Sequence, residues 1–158
     1  MIGKRGAIGL FLFVLYFIQL LLPISWNSLS ELQENEQYKL WSGLFLFIVI
    51  LSQWSLSFGR AILQLKYNSI LKLIKWHKWI GVFAPIVYYF HSAHPGYGLL
   101  LLLTIIFFTD LLTGYLNDKS LLIKGSTLYY LWLVSHIILS VVVLGLTIVH
   151  IWIVFYFE

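Results

Sequence analysis

Five apolar stretches, near 7–24, 40–58, 73–92, 98–116 and 127–156, are each long enough to cross a bilayer, and nothing else in the chain constrains its fold as strongly. A hydrocarbon core of about 30 Å takes about 20 apolar residues in helical form. Helix is required because lipid offers no partner for an open backbone N–H or C=O. The composition agrees: 61% of the 158 residues are hydrophobic and only 10% charged, too few polar groups to coat a water-soluble domain. The expected fold is all-α, an integral membrane five-helix bundle, with residues 1–158 as a single domain and membrane lipid as its surroundings. Lys4 and Arg5 precede the first stretch in the manner of a signal peptide. However, Pro23-Ile24-Ser25-Trp26 lacks the small residues of a cleavage site, so this stretch reads as an uncleaved anchor. No repeat, low-complexity tract or linker interrupts the chain. Segment 25–38 reads as a polar external loop, and 117–126 as a short connection. Segment 60–72 is basic and partly amphipathic and suits the inner membrane surface.

Charge orients these spans. With five alternating crossings, Lys4, Arg5, Arg60, Lys66, Lys72, Lys75, Lys78, Lys119 and Lys124 share one side, and only Lys39 falls on the other, with Glu31, Glu34, Glu36 and Glu158. Basic loops stay in the cytoplasm, which places the N-terminus inside and the C-terminus outside a membrane of the bacterial cytoplasmic type. Topology accounts for these lysines without a nucleic-acid partner.

Histidines carry the chemistry. His77 and His91 are 14 residues apart (91 − 77), and so are His136 and His150 (150 − 136). At 100° per residue, 14 steps come within about 40° of whole turns and rise about 21 Å. Each of the third and fifth spans therefore presents two imidazoles on one face, one near each side of the membrane. One crossing separates these spans, so they run in the same direction. His77 and His136 share the cytoplasmic level, and His91 and His150 the outer level. A lone histidine in an apolar helix is usually a hydrogen-bonded packing residue; two pairs at matched spacing fit two bis-histidine haem irons, stacked across the membrane. With both axial positions filled, such an iron passes electrons and does not bind oxygen. The chain has no cysteine, which excludes disulfides, iron–sulfur clusters and covalent attachment through C-x-x-C-H. The expected cofactors are two non-covalent haem b groups.

Neighbouring residues admit two readings each. Gly81 and Ala84, four and seven residues after His77, lie between the levels on the histidine face, as do Ser140 and Thr147 in the fifth span. Their size lets a flat macrocycle approach, or simply allows helix–helix contact. Lys78 suits a haem propionate at the membrane edge, or snorkels at a helix end. Asp110 stands inside the fourth span. It could relay a proton, orient His77 or His136 through the ring nitrogen away from iron, pair with a lysine, or hydrogen-bond in protonated form. His94, in His94-Pro95-Gly96-Tyr97-Gly98, is either an exposed turn residue or a contact for an outer acceptor or propionate. Pro85 is expected to bend the third span between its histidines.

On these residues the sequence resembles the ferric reductase-like transmembrane family, which includes ferric reductases, NADPH oxidase membrane domains and haem-binding membrane subunits of bacterial methionine sulfoxide reductase systems. The matching motifs are His77-Lys78-Trp79-Ile80-Gly81, Tyr88-Tyr89-Phe90-His91, Ser135-His136-Ile137-Ile138 and Val149-His150. The resemblance covers spans three to five; spans one and two agree only in hydropathy. It implies that His77 and His136 ligate the inner iron and His91 and His150 the outer, with electrons moving from inside to outside. Family members with a dehydrogenase add a sixth span leading to flavin and nucleotide domains. This sequence stops at Glu158 and holds no glycine-rich dinucleotide fingerprint.

The expected function is transmembrane electron transfer as the membrane subunit of an oxidoreductase, fed by a redox partner subunit or a membrane quinol, with no catalytic group of its own. Two alternatives stand beside it: a quinol-oxidising cytochrome b anchor subunit, and a haem-free structural or assembly subunit. Intramembrane polar groups are too few to line the hydrated path of a channel.

Overall fold

A computed structural model of the chain describes residues 4–22, 26–115 and 126–157. Within them every regular element is helical: α1 (Lys4–Leu21), α2 (Asn27–Glu34), α3 (Glu36–Gln53), α4 (Ser55–Ala61), α5 (Tyr67–His91), α6 (Leu99–Tyr115) and α7 (Thr127–Phe157). Only Trp54 separates α3 from α4, so Glu36–Ala61 reads as one apolar run of 26 residues. That run, α1 and α7 are long and apolar enough to cross a membrane; α6 is apolar but shorter, at 17 residues. A helix lies over each of the five expected spans, but α5, over the third, is not among those long and apolar enough to cross, so three of the five meet that measure. Pro23, Ser25, Lys119, Lys124 and Glu158, used above for processing and orientation, lie outside the described residues.

The surface is unlike that of a water-soluble domain. The core is mostly apolar, with Leu46, Ile50, Val82 and Phe108 buried, but large apolar side chains such as Phe11, Trp41, Phe45, Ile105 and Trp152 are exposed as well. Water would penalise such a surface, and lipid would not.

The chain forms two compact units, one from residues 1–10 with 94–158 and the other from 11–93. In the 11–93 unit α5 packs on α3, α4 and α2. Segment 27–34, expected as a loop, is a helix. Its apolar side closes on buried Leu29, and the Trp26 carbonyl accepts the Leu29 and Ser30 amides at 2.9 and 3.0 Å. The Asn35 side chain then caps α3, accepting the Tyr38 amide at 3.1 Å. After α4 the chain turns through 62–66, where Gln64 has φ 44°, and α5 begins at Tyr67. Thus most of segment 60–72 belongs to a turn and to the first turns of α5. This helix runs through Pro85, which is fully buried.

In the other unit α6 packs along α7. The first turns of α1 rest on the end of α6 with almost no clearance: a Cβ on Gly9 would lie 2.6 Å from Tyr115 Cε1.

Candidate functional site

Each histidine pair terminates a stripe of the same design. On α5 the stripe is His77, Gly81, Ala84, Tyr88 and His91; on α7 it is His136, Ser140, Val143, Thr147 and His150. Both step by 4, 3, 4 and 3 residues, the spacing that holds one seam of a helix facing inward. Burial follows the same course along both. The histidines at the ends are half-buried, Ala84 and Val143 at the midpoints are 4% and 3% exposed, and Tyr88 and Thr147 are also buried. Flanking residues such as Phe83, Phe90, Ile137, Ile138 and Val141 are exposed. Helical geometry thus puts both rings of each pair on one face, as the 14-residue spacing requires.

The second common feature concerns Nδ1. On His77, Nδ1 lies 3.2 Å from the main-chain oxygen of Gln53. Gln53 ends α3, where carbonyls have no amide four residues onward within the helix. A carbonyl only accepts, so Nδ1 carries the proton and Nε2 the lone pair. On His91, Nδ1 lies 3.1 Å from Ser42 Oγ, and the ring lies over α3 at Gly43, where a Cβ would stand 3.0 Å from Cε1. On His136, Nδ1 lies 2.8 Å from Asp110 Oδ1 and 3.0 Å from Thr113 Oγ1. His150 is half-buried at the far end of its stripe.

Around His136 the network is dense. Asp110 and His136 are 17% and 18% exposed at the side chain. Ser140 Oγ lies 3.0 Å from Asp110 Oδ2 and 2.9 Å from the His136 carbonyl, and can donate its proton to either. Thr113 Oγ1 donates to the Asp110 carbonyl at 2.7 Å. Trp132, one turn before His136 on the same face, stacks on the imidazole with centroids 5.8 Å apart and planes 12° from parallel. Its indole N–H donates to the Thr113 carbonyl at 2.7 Å. Two helices therefore fix the plane and tautomer of one ring.

Around His91 the support comes from α2 and α3. Gln33 Nε2 donates to the carbonyls of Tyr89 and Phe90 at 2.8 and 3.1 Å, and Gln33 Oε1 accepts the Ala93 amide at 3.3 Å. Tyr38 Oη donates to the Phe90 carbonyl at 2.9 Å. These bonds take up carbonyls that a helix C-terminus leaves without intrahelical donors. They hold the last turn of α5 where His91 stands.

Of the other residues named from sequence, Gly81 lies on the α5 stripe, where a Cβ would come 3.9 Å from Gln53 Oε1. Lys78 is exposed beside His77, and His94 is exposed in the turn after α5. Of the roles open to Asp110, the structure shows the contact with His136 Nδ1. Sequence reasoning missed Trp132 and Thr113, although each sits a helical turn from a residue it had named. It also missed Ser42, Gly43, Gln33 and Gln53, which meet α5 only through the tertiary fold. Among the described residues, no group of three or more His, Cys, Asp or Glu could hold a bare metal ion. The chain matches no family model, no curated protein and no solved structure.

Proposed function

We propose that this chain is a five-span membrane cytochrome b that carries electrons across a bilayer through two non-covalent, bis-histidine haems. The observation that carries this reading is the treatment of Nδ1. Three of the four paired histidines have that nitrogen hydrogen-bonded to a carbonyl or a hydroxyl, each within 3.2 Å. Histidines that ligate metals are held in this way, with the outer nitrogen bound to the protein and Nε2 directed to the metal.

The residues fit the group. Haem supplies a one-electron iron couple and needs from the protein two imidazoles and a flat slot. Gly81, Ala84 and Ser140 are the small side chains between the histidines of each helix that such a slot would require. Gln53 Nε2 is buried with no hydrogen-bond partner among the described residues, and this side chain lies against Gly81. It supplies a donor for a bound polar group at the His77 level. Axial ligation asks for one imidazole from each helix, and not for the cluster of several ligands that a bare ion requires.

In this reading the basic residues Arg60, Lys66, Lys72, Lys75 and Lys78 face the cytoplasm. His77 and His136 form the inner level, His91 and His150 the outer, about 21 Å along the helix. Lys78 lies beside the inner level, within reach of a propionate. One electron at a time enters from a partner subunit or membrane quinol and leaves at the opposite face, with no bond made or broken in this chain. The motif resemblance to ferric reductase-like membrane domains supports the same assignment.

The test is the optical spectrum and haem content of the purified full chain. Two low-spin b-type haems per chain are expected, and His91→Ala should remove one and spare the other. A chain that folds and inserts in haem-replete cells yet binds none refutes the reading.

A further inference from the structure

We infer that the face of α5 turned away from its histidines binds an anionic phospholipid lengthwise, with the phosphate held by Lys72 and Lys75 and an acyl chain laid along Trp79 and Phe83. The inference rests on the membrane-spanning part of the reading above and not on the haems.

A second seam runs along α5. Lys72, Trp76, Trp79, Phe83, Ile86 and Phe90 step by 4, 3, 4, 3 and 4 residues, so they share one face of the helix. At 100° per residue that face lies about 140° around the axis from the histidine stripe. Where the stripe is covered by neighbouring helices, the seam is open: Trp76, Trp79, Phe83 and Phe90 are all exposed. Trp79 stacks on Phe83, with centroids 6.0 Å apart and planes 14° from parallel, which makes a flat apolar wall.

Polarity changes once along this seam. Lys72 stands exposed at the end nearer α4, with exposed Lys75 one turn on, and from Trp76 onward every seam residue is apolar. A rise of about 4.5 Å between the two lysines brings two ammonium groups to one phosphate. Trp76 and Trp79 follow where amphipathic rings settle, at headgroup level. From Trp76 to Ile86 the helix rises about 15 Å, half of a hydrocarbon core of about 30 Å and so the depth of one acyl layer.

Charge selects an anionic head. Lys72, Lys75 and Lys78 recur every three residues, a spacing at which like charges repel. Among the described residues no carboxylate pairs with them. The acids of the 11–93 unit are Glu31, Glu34 and Glu36, in α2 and the start of α3. Gln33 ties α2 to the Tyr89 carbonyl, about 26 Å along α5 from Lys72. The repulsion is therefore left for a group outside the chain to offset, and basic residues at the end of a membrane helix attract acidic headgroups. A soluble acidic protein would answer the lysines and leave the aromatic run uncovered. A neutral lipid would cover the aromatic run and leave the lysines unanswered. An anionic phospholipid meets both.

The test is lipid binding by the purified full chain in detergent, read by native mass spectrometry with phosphatidylglycerol and phosphatidylcholine of the same acyl chains. The anionic lipid should bind about tenfold more tightly, and replacing both lysines, Lys72→Gln with Lys75→Gln, should remove that preference and leave phosphatidylcholine binding unchanged. Lys39→Gln, at the glutamate end of the unit, should change neither affinity. Trp79→Ala should weaken both lipids, because it removes wall and not charge. Glycerol phosphate, a headgroup without chains, should not displace the bound lipid. Equal affinity for the two lipids in the wild-type chain overturns the inference whether or not the variants fold, and leaves the lysines to topology or to an acidic protein. Preference retained by the double variant overturns it too, as does displacement by glycerol phosphate. A chain that alkaline carbonate releases from membranes refutes the membrane-spanning reading itself, and this inference with it.

Discussion

Replacing Gln33 tests how the last turn of α5 is held, independently of any cofactor. Gln33→Ala removes three hydrogen bonds, those to the Tyr89 and Phe90 carbonyls and the one from the Ala93 amide. A neutral hydrogen bond contributes roughly 0.5–1.5 kcal/mol net, so three would contribute about 3 kcal/mol. The Phe90 carbonyl keeps Tyr38 Oη at 2.9 Å, which reduces the loss to about 2 kcal/mol. If the loss is local, opening of this turn becomes about 30-fold more frequent, at about 1.4 kcal/mol per tenfold. Hydrogen exchange followed by mass spectrometry on peptides covering residues 88–94 reads that factor directly, while peptides from the middle of α7 serve as the internal reference. Gln33→Glu sharpens the test. Glutamate has the same length but turns a donor into an anion facing two carbonyl oxygens at the negative end of a helix. It should exchange faster than the alanine variant. Wild-type exchange in either variant would show that Gln33 does not restrain α5.

Three further outcomes follow from contacts elsewhere. Gly9→Ala drives a Cβ to 2.6 Å from the ring of Tyr115, which is buried and has little room to swing. It should cost about 1–3 kcal/mol and lower the thermal midpoint in detergent. Asn35→Ala removes the cap of α3 and should cost about 1 kcal/mol, whereas Asn35→Gly should cost only a few tenths; denaturant titration distinguishes them. Trp132→Phe keeps an aromatic face against His136 but loses the bond to the Thr113 carbonyl, for a loss of about 1 kcal/mol in the same assay.

Helix positions were legible because they depend on local properties. Apolar runs of 17 residues or more can do little but form helices, and the structure has a helix over each. The shared face of each histidine pair was legible for the same reason, since it needs only the helical repeat. The short helix α2 was not: its eight residues bury one leucine, Leu29, and composition favours a loop. Its stability comes from tertiary contacts such as the Gln33 bonds to α5, which lie 56 to 60 residues away in sequence. The Nδ1 partners divide along the same line. Asp110 stood out as a carboxylate in an apolar span, and its meeting with His136 was among the roles expected. Ser42 and the Gln53 carbonyl carry no such mark. A serine at a helix start and a main-chain oxygen are ordinary until folding brings an imidazole to them.

Gly43 separates a ligand from a packing residue at His91. The ring rests against α3 so closely that a Cβ on Gly43 would stand 3.0 Å from Cε1, 3.5 Å from Nδ1 and 3.7 Å from Nε2. Gly43→Ala therefore displaces the ring by a few tenths of an ångström, while Ser42→Ala removes the bond to Nδ1 and leaves the space unchanged. If His91 only fills volume, the strain of Gly43→Ala belongs to the contact alone, and adding His91→Ala should relieve it. The double variant would then be more stable than additivity predicts, a coupling that a double-mutant cycle on the haem-free protein measures. That coupling is expected in either case, because it reports the contact. Ligation adds a consequence that packing does not: moving the ring moves Nε2, so Gly43→Ala should lower haem occupancy or shift the spectrum at the outer level alone. Ser42→Ala should leave that haem in place with an altered midpoint. Full occupancy and an unchanged spectrum in Gly43→Ala, together with the stability coupling, would make His91 a packing residue and remove it from the ligands of the outer haem.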